Sequence, residues 1–124
     1  VTVEQLETAT EIVDVATVQN RYNVGHRDDE DVLRACEDHG VGFIPWGPMY
    51  AVDDEEAGEV LDEVAVRRDA TPRQVSLAWL LDHSDVTLPI PGTSSVEHLE
   101  SNLAAADLSL TDEDRAALNA VDPH

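Results

Sequence analysis

The chain is 124 residues long, enough for one domain and short of two. Its 27 acidic residues outweigh 7 basic ones, all arginine, for a formal net charge of −20. A field of that sign repels polyanions and anionic lipid, which argues against nucleic-acid and membrane-surface partners, and no apolar run reaches the ~20 residues of a bilayer span.

Leu6, Ala9, Ile12 and Val13 recur at helical spacing and predict a helix from Val3 to about Val13. Val15 to Gln19 is a β-branched run that reads as a strand. Asp28 and Asp29 can cap a following helix through Val32, Leu33 and Cys36, with Gly40 placed to end it. Phe43-Ile44-Pro45-Trp46 reads as a second strand, apolar enough to be buried on both faces. After the Gly47-Pro48-Met49-Tyr50 turn and a loop, a helix is expected from about Glu55 to Arg68. Thr71 and Pro72 form an N-cap and N1 pair for a helix through Val75, Leu77, Trp79 and Leu81. Val86 to Ile90 reads as a third strand. Ser94 or Ser95 caps a helix to about Ala106, and Thr111 with Asp114 opens the last one.

Strands alternate with helices at crossover lengths that suit βαβ units, so the class is α/β with a parallel sheet. Three strands are too few to close a barrel, and as an open sheet they would leave two bare edges. Asp and Glu are spread along helical faces between Leu, Val and Ala rather than gathered in a tail. That pattern fits a surface suited to a salt-rich cytoplasm, where screening over ~3 Å at 1 M relieves self-repulsion. The single Cys36 has no disulfide partner within the chain, which fits a reducing compartment, and its setting reads as structural. The amino terminus shows neither a signal-peptide pattern nor an initiator Met, which suggests a start inside a longer frame.

Three strand-end motifs carry a family resemblance: Val18-Gln19-Asn20-Arg21-Tyr22-Asn23, then Gly42-Phe43-Ile44-Pro45-Trp46-Gly47-Pro48-Met49, then Leu88-Pro89-Ile90-Pro91-Gly92-Thr93-Ser94-Ser95. Together with Ala70-Thr71-Pro72-Arg73-Gln74-Val75 ahead of Ala78-Trp79-Leu80, this ordered set resembles the aldo-keto reductases. The resemblance implies a partial (β/α)8 TIM barrel in which residues 1–124 are a carboxy-terminal fragment, with three parallel strands standing for about the sixth to eighth. It implies an oxidoreductase that reduces aldehydes and ketones with NADPH, its site gathered at the carboxyl ends of the strands. The expected partners are a nicotinamide dinucleotide, a small carbonyl substrate and the missing amino-terminal half of the barrel.

The same resemblance implies a role for each motif. Gln19 would hydrogen-bond the nicotinamide carboxamide; as a plain strand terminus it would instead be satisfied by backbone. Trp46 would lay its face on the nicotinamide ring, where the bland reading is a core Trp. Gly47, Pro48 and Met49 would lie beside the pyrophosphate, or simply make a turn. Gly92, Thr93, Ser94 and His98 would surround the adenosine 2′-phosphate, and Asn102 would meet the adenine. Gly92 stands where many members carry Lys and His98 where many carry Arg, so NAD stays open beside NADP. Trp79 reads as core, and Tyr50 as a residue of the substrate mouth.

No catalytic residue is assigned. The family's proton donor is a Tyr tuned by Lys and Asp beside a His, and a chain with no lysine cannot supply that set. His26, His39, His83, His98 and His124 are scattered, without metal-ligand spacing. Two functions therefore stand side by side: the cofactor-binding part of an NADP-dependent reductase completed by an upstream segment, or an inactive remnant binding at most a dinucleotide or a partner.

Overall fold

The computed structural model describes residues 1–123. In chain order its regular elements are α1 (Val3–Thr10), β1 (Thr17–Arg21), α2 (Glu30–His39), β2 (Gly42–Trp46), α3 (Glu55–Arg68), α4 (Pro72–His83), α5 (Val96–Ala104) and α6 (Asp112–Asn119). Short 3-10 turns at Tyr50–Asp53 and Ala105–Asp107 complete the set.

Capping chemistry sets most helix starts. Thr2 with Gln5, Thr71 with Gln74 and Thr111 with Asp114 each form a reciprocal box, in which the first side chain accepts from the third helical N–H and the second reaches back to the cap N–H. Asp54 caps α3 by accepting from Ala57 N–H at 2.9 Å. Asp29 occupies the cap position of α2 but makes no side-chain cap bond. Gly40 closes that helix in the left-handed region at φ 66°, where a Cβ would be strained.

β1 and β2 pair in parallel, with Thr17 opposite Gly42 and Arg21 opposite Trp46. Val18, Asn20, Phe43 and Pro45 point to the buried face, beneath the helices. Thr17, Gln19 and Arg21 lie on the more open face together with their partners Gly42, Ile44 and Trp46, so within the described residues β2 is covered on one face.

The expected third strand is not formed as such. Phe43 N–H donates to the Val86 carbonyl and Leu88 N–H to the Phe43 carbonyl, both at 2.8 Å, giving one parallel bridge between Phe43 and Thr87. The next rung would need an N–H from residue 45 for the Leu88 carbonyl. Residue 45 is proline and has none, and Pro89 and Pro91 remove further donors from the other side. The fold is thus α/β with two strands and a third extended segment laid alongside, rather than three full strands.

Other boundaries shift for simple reasons. α1 stops at Thr10, not near Val13, because Ile12 and Val13 are exposed and their N–H groups both fold back to the Ala9 carbonyl. The loop after Pro48 contains the unforeseen 3-10 turn, which seats Ala51 in the core.

The core holds Leu6, Leu33, Phe43, Leu61, Val64, Leu80 and Leu118 around Trp79 and Tyr22. Tyr22 stacks on Trp79 at 6.0 Å and meets Phe43 edge-on at 5.7 Å. The Trp79 indole N–H donates to Asn119 Oδ1 at 2.9 Å, satisfying the polar atom of a side chain that is otherwise buried. The Tyr22 hydroxyl donates to Glu30, which also pairs with Arg34 at 2.6 Å and lies 3.1 Å from His83 Nε2. Burial, reinforced by the Glu30 carboxylate, pushes the Tyr22 phenol above its usual range. Burial alone would raise Glu30, but bonds from Tyr22 and His83 and the charge on Arg34 hold it below the ordinary carboxylate value. Cys36 is fully buried, and that burial raises its thiol pKa.

Candidate functional site

The carboxyl ends of β1 and β2 form a rim, and most of the residues singled out in the sequence stand along it. Parallel register puts Gln19 and Trp46 on the same exposed face, one step apart along the paired strands. Trp46 is 40% exposed, so within the described residues it lies outside the core. Trp79, 1% exposed, keeps it. The Trp46 ring is framed by Arg21, whose guanidinium lies 5.9 Å from the ring centroid, and by Tyr50, edge-on at 6.4 Å.

Backbone conformation fixes that framing. Gly47 sits at φ 65°, and a Cβ there would come within 2.8 Å of the Tyr50 ring. Glycine is required twice over, for the left-handed turn and for the ring that closes above it. Asn23, buried just past β1, donates to the Gly47 carbonyl at 2.9 Å and accepts from Gly25 N–H at 3.0 Å. It ties one strand end to the other. A cleft of about 270 Å³ opens beside it, lined by Arg21, Asn23, Gly25, His26, Tyr50, Ala51 and Asp54.

Further along the rim, Met49, Gly92, Thr93, His98 and Asn102 come together in a smaller cleft of about 40 Å³, joined by Arg73 and Ser101. Gly92 faces open space, with nothing within 4 Å of where a Cβ would be. The first turn of α4 organises this end. Gln74 donates to the Ser101 carbonyl at 3.0 Å, Ser76 to the Pro48 carbonyl at 2.7 Å, and Arg73 to Met49 Sδ at 3.9 Å.

Ser95, not Ser94, caps α5, accepting from His98 N–H at 3.3 Å. The Thr93 hydroxyl accepts from Ser95 N–H at 3.1 Å. Ser94 is exposed and stands outside both clefts. Pro48 is buried and acts through its carbonyl. Sequence reasoning missed Arg21, Asn23, Arg73 and Ser76. Their signal was present in the motifs themselves, but only the three-dimensional register says which of them face the rim.

Among the described residues no group of His, Cys, Asp and Glu side chains could hold a metal, and His124 lies outside those residues. No helix among them is long and apolar enough to cross a membrane.

Comparison with known proteins bears on what this rim could hold. The model of the Aldo/keto reductase family matches residues 1–123. An uncharacterized oxidoreductase of Schizosaccharomyces pombe is 42% identical over 119 residues, 96% of this chain and 39% of that protein. Pyridoxine 4-dehydrogenase of Escherichia coli is 40% identical over 121 residues, 98% of this chain and 42% of that protein. The chain thus spans about two fifths of the length of these relatives. Among solved structures, the thermostable aldo-keto reductase Tm1743 superposes with a TM-score of 0.88 at 31% identity, over 95% of this chain and 44% of that one. An aldo-keto reductase from Klebsiella pneumoniae, in complex with NADPH, gives 0.85 at 27% identity, over 100% of this chain and 46% of the other. These neighbours are (β/α)8 barrels, and the two-stranded α/β architecture described above is consistent with part of one.

Proposed function

The chain belongs to the aldo/keto reductase family, and we propose that it forms the carboxy-terminal part of the barrel, about strands six to eight, of an NADP-dependent oxidoreductase acting on aldehydes and ketones. One observation carries the reading: the exposed Trp46 that ends β2 and Gln19, which lies mid-strand because β1 runs on to Arg21 instead of ending at Gln19, share one face of a parallel pair, and a cleft built from the Met49, Gly92 and Asn102 segments lies on the same rim. The Klebsiella pneumoniae structure holds NADPH, which supports a nicotinamide cofactor here.

The residues present suit that group. The Gln19 amide can both donate to and accept from the carboxamide, and the Trp46 face can cover one side of the nicotinamide ring. Gly47, Pro48 and Met49 would offer backbone to the pyrophosphate. Gly92, Thr93 and His98, with Ser94 beside them outside the cleft, would hold the adenosine phosphate, and Asn102 would meet the adenine. When bound, the nicotinamide supplies the hydride for carbonyl reduction. Tyr50, exposed beside Trp46, lines the substrate mouth.

Proton donation belongs to the remainder of the barrel. The chain has no lysine to tune a tyrosine, and the Tyr22 hydroxyl is buried and committed to Glu30. The amino-terminal half would also cover the unpaired edge of β1 and the exposed Leu88 and Ile90. The acid-rich surface fits a salt-rich cytoplasm.

The test is an NADPH titration of the protein expressed as its full reading frame, followed by tryptophan fluorescence. Trp46→Ala and Gln19→Ala should each weaken binding by about tenfold, the scale of one lost stacking or charge-free polar contact. Trp79→Phe should not. Unchanged affinity in both rim variants would remove the reading.

A further inference from the structure

We propose that Arg73 is the cation that receives the adenosine 2′-phosphate, so that this chain selects NADP over NAD although residue 92 is glycine and residue 98 histidine. The inference rests on the cofactor reading above and assigns the specificity-determining residue within it.

The distribution of arginine partners points to Arg73. In a chain with 27 acidic residues, most arginines are taken up by carboxylates. Arg34 pairs with Glu30 and Glu37, Arg67 and Arg68 with Asp114, and Arg115 with Asp82 and Asp112. Arg27 donates to the carbonyls of Asn119 and Val121, and Arg21 lies over the Trp46 ring, outside the cleft that holds Gly92. Arg73 is exposed, and its bond is to the thioether of Met49, a weak acceptor. No carboxylate lines the cleft that it shares with Met49, Gly92, Thr93, His98, Ser101 and Asn102.

Geometry supplies the rest. Arg73 lies in the first turn of α4, a helix anchored on both sides of the cleft: Ser76 to the Pro48 carbonyl and Gln74 to the Ser101 carbonyl. The base of the side chain is therefore held, while its planar fork keeps donors free for a phosphate, which it suits better than an ammonium does. Open space over Gly92 leaves room for a group to enter from that side. The cation comes from the helix across the cleft instead of from the strand-end loop.

The experiment measures binding of 2′,5′-ADP, 5′-AMP and inorganic phosphate to the full-length protein at one fixed ionic strength, by calorimetry. The wild type should prefer 2′,5′-ADP. Arg73→Gln should weaken 2′,5′-ADP by about tenfold or more and leave 5′-AMP within about twofold, while Arg73→Lys should recover part of the loss. Arg115→Gln removes the same charge elsewhere and should change neither. A preference for 2′,5′-ADP that survives Arg73→Gln overturns the assignment alone. An equal loss in Arg115→Gln, or inorganic phosphate binding as tightly as 2′,5′-ADP, reduces the effect to bulk charge and overturns it too. Failure of both nucleotides to bind the wild type overturns the assignment together with the cofactor reading. Matching unfolding midpoints for the variants confirm that the fold is intact.

Discussion

Replacing Asp114 should show how far one buried carboxylate holds the last helix to the rest of the molecule. Its side chain is fully buried, accepts from Thr111 N–H at 3.1 Å, and meets Arg67 at 3.1 to 3.2 Å and Arg68 Nε at 3.1 Å. It is both half of the α6 cap and the link from α6 to the end of α3. Asp114→Ala removes a charge-assisted bond to a backbone N–H, worth about 1.5–2 kcal/mol, and two ion pairs. The arginine side chains are 35% and 31% exposed, so water takes over part of their solvation and each pair counts for about 0.5–1 kcal/mol rather than the full penalty of a buried, stranded charge. The expected loss is about 3 kcal/mol. Asp114→Asn keeps an acceptor for Thr111 and should lose about half as much.

Urea unfolding at high salt, followed by Trp79 emission, is the suitable assay, because the indole N–H is bonded to Asn119 at the end of α6. Burial would raise the Asp114 pKa, yet the Thr111 and Arg67 bonds and the Arg68 charge hold it below the usual value. A depressed folded pKa stabilises the fold above the unfolded value of about 3.9, and that contribution fades as pH falls through the folded value. The gap between wild type and Asp114→Ala should therefore be constant at neutral pH and narrow below about pH 4. A loss under about 1 kcal/mol, or a gap that widens in acid, would refute the reasoning.

Gly47→Ala should cost about 1–2 kcal/mol, because residue 47 is left-handed and its Cβ would strike the Tyr50 ring, and it should weaken NADPH binding by shifting the frame around Trp46. Parallel melts and titrations check both parts. Gly92→Lys should fold normally, since open space awaits the side chain, and should tighten 2′,5′-ADP severalfold in calorimetry. The 124-residue chain by itself should unfold without a cooperative transition in roughly 0.1 M salt and gain one near 2 M, as seen by circular dichroism in urea, because its −20 charge opposes compaction until screened.

Helix positions were legible because their signals are local. Thr71 with Pro72, Thr111 with Asp114, and Gly40 mark boundaries through residues that act within four positions of where they stand. The third strand was misjudged because its β-branched residues hide a non-local fact: the donor it needs belongs to residue 45, in another segment. At the rim, the family motifs named Gln19, Trp46 and the Gly92–Asn102 segment. Nothing in the linear sequence distinguishes Arg73 from Arg68, since the difference lies in which carboxylates the fold brings near each. Ser94 and Ser95 were likewise equivalent on paper, until one hydroxyl was spent on the helix.

The proline at residue 45 has a mechanical corollary. Beyond the Phe43–Thr87 bridge, the lips of the groove at Pro48 and Ser101 are not stitched by main-chain ladder bonds but cross-braced through Gln74 and Ser76 of a single helix. The first turn of α4 is therefore a strut setting how wide the mouth stands. Substitutions at Gln74 or Ser76, which touch neither ring nor phosphate, should alter the grip on a long bipartite ligand more than on either of its halves.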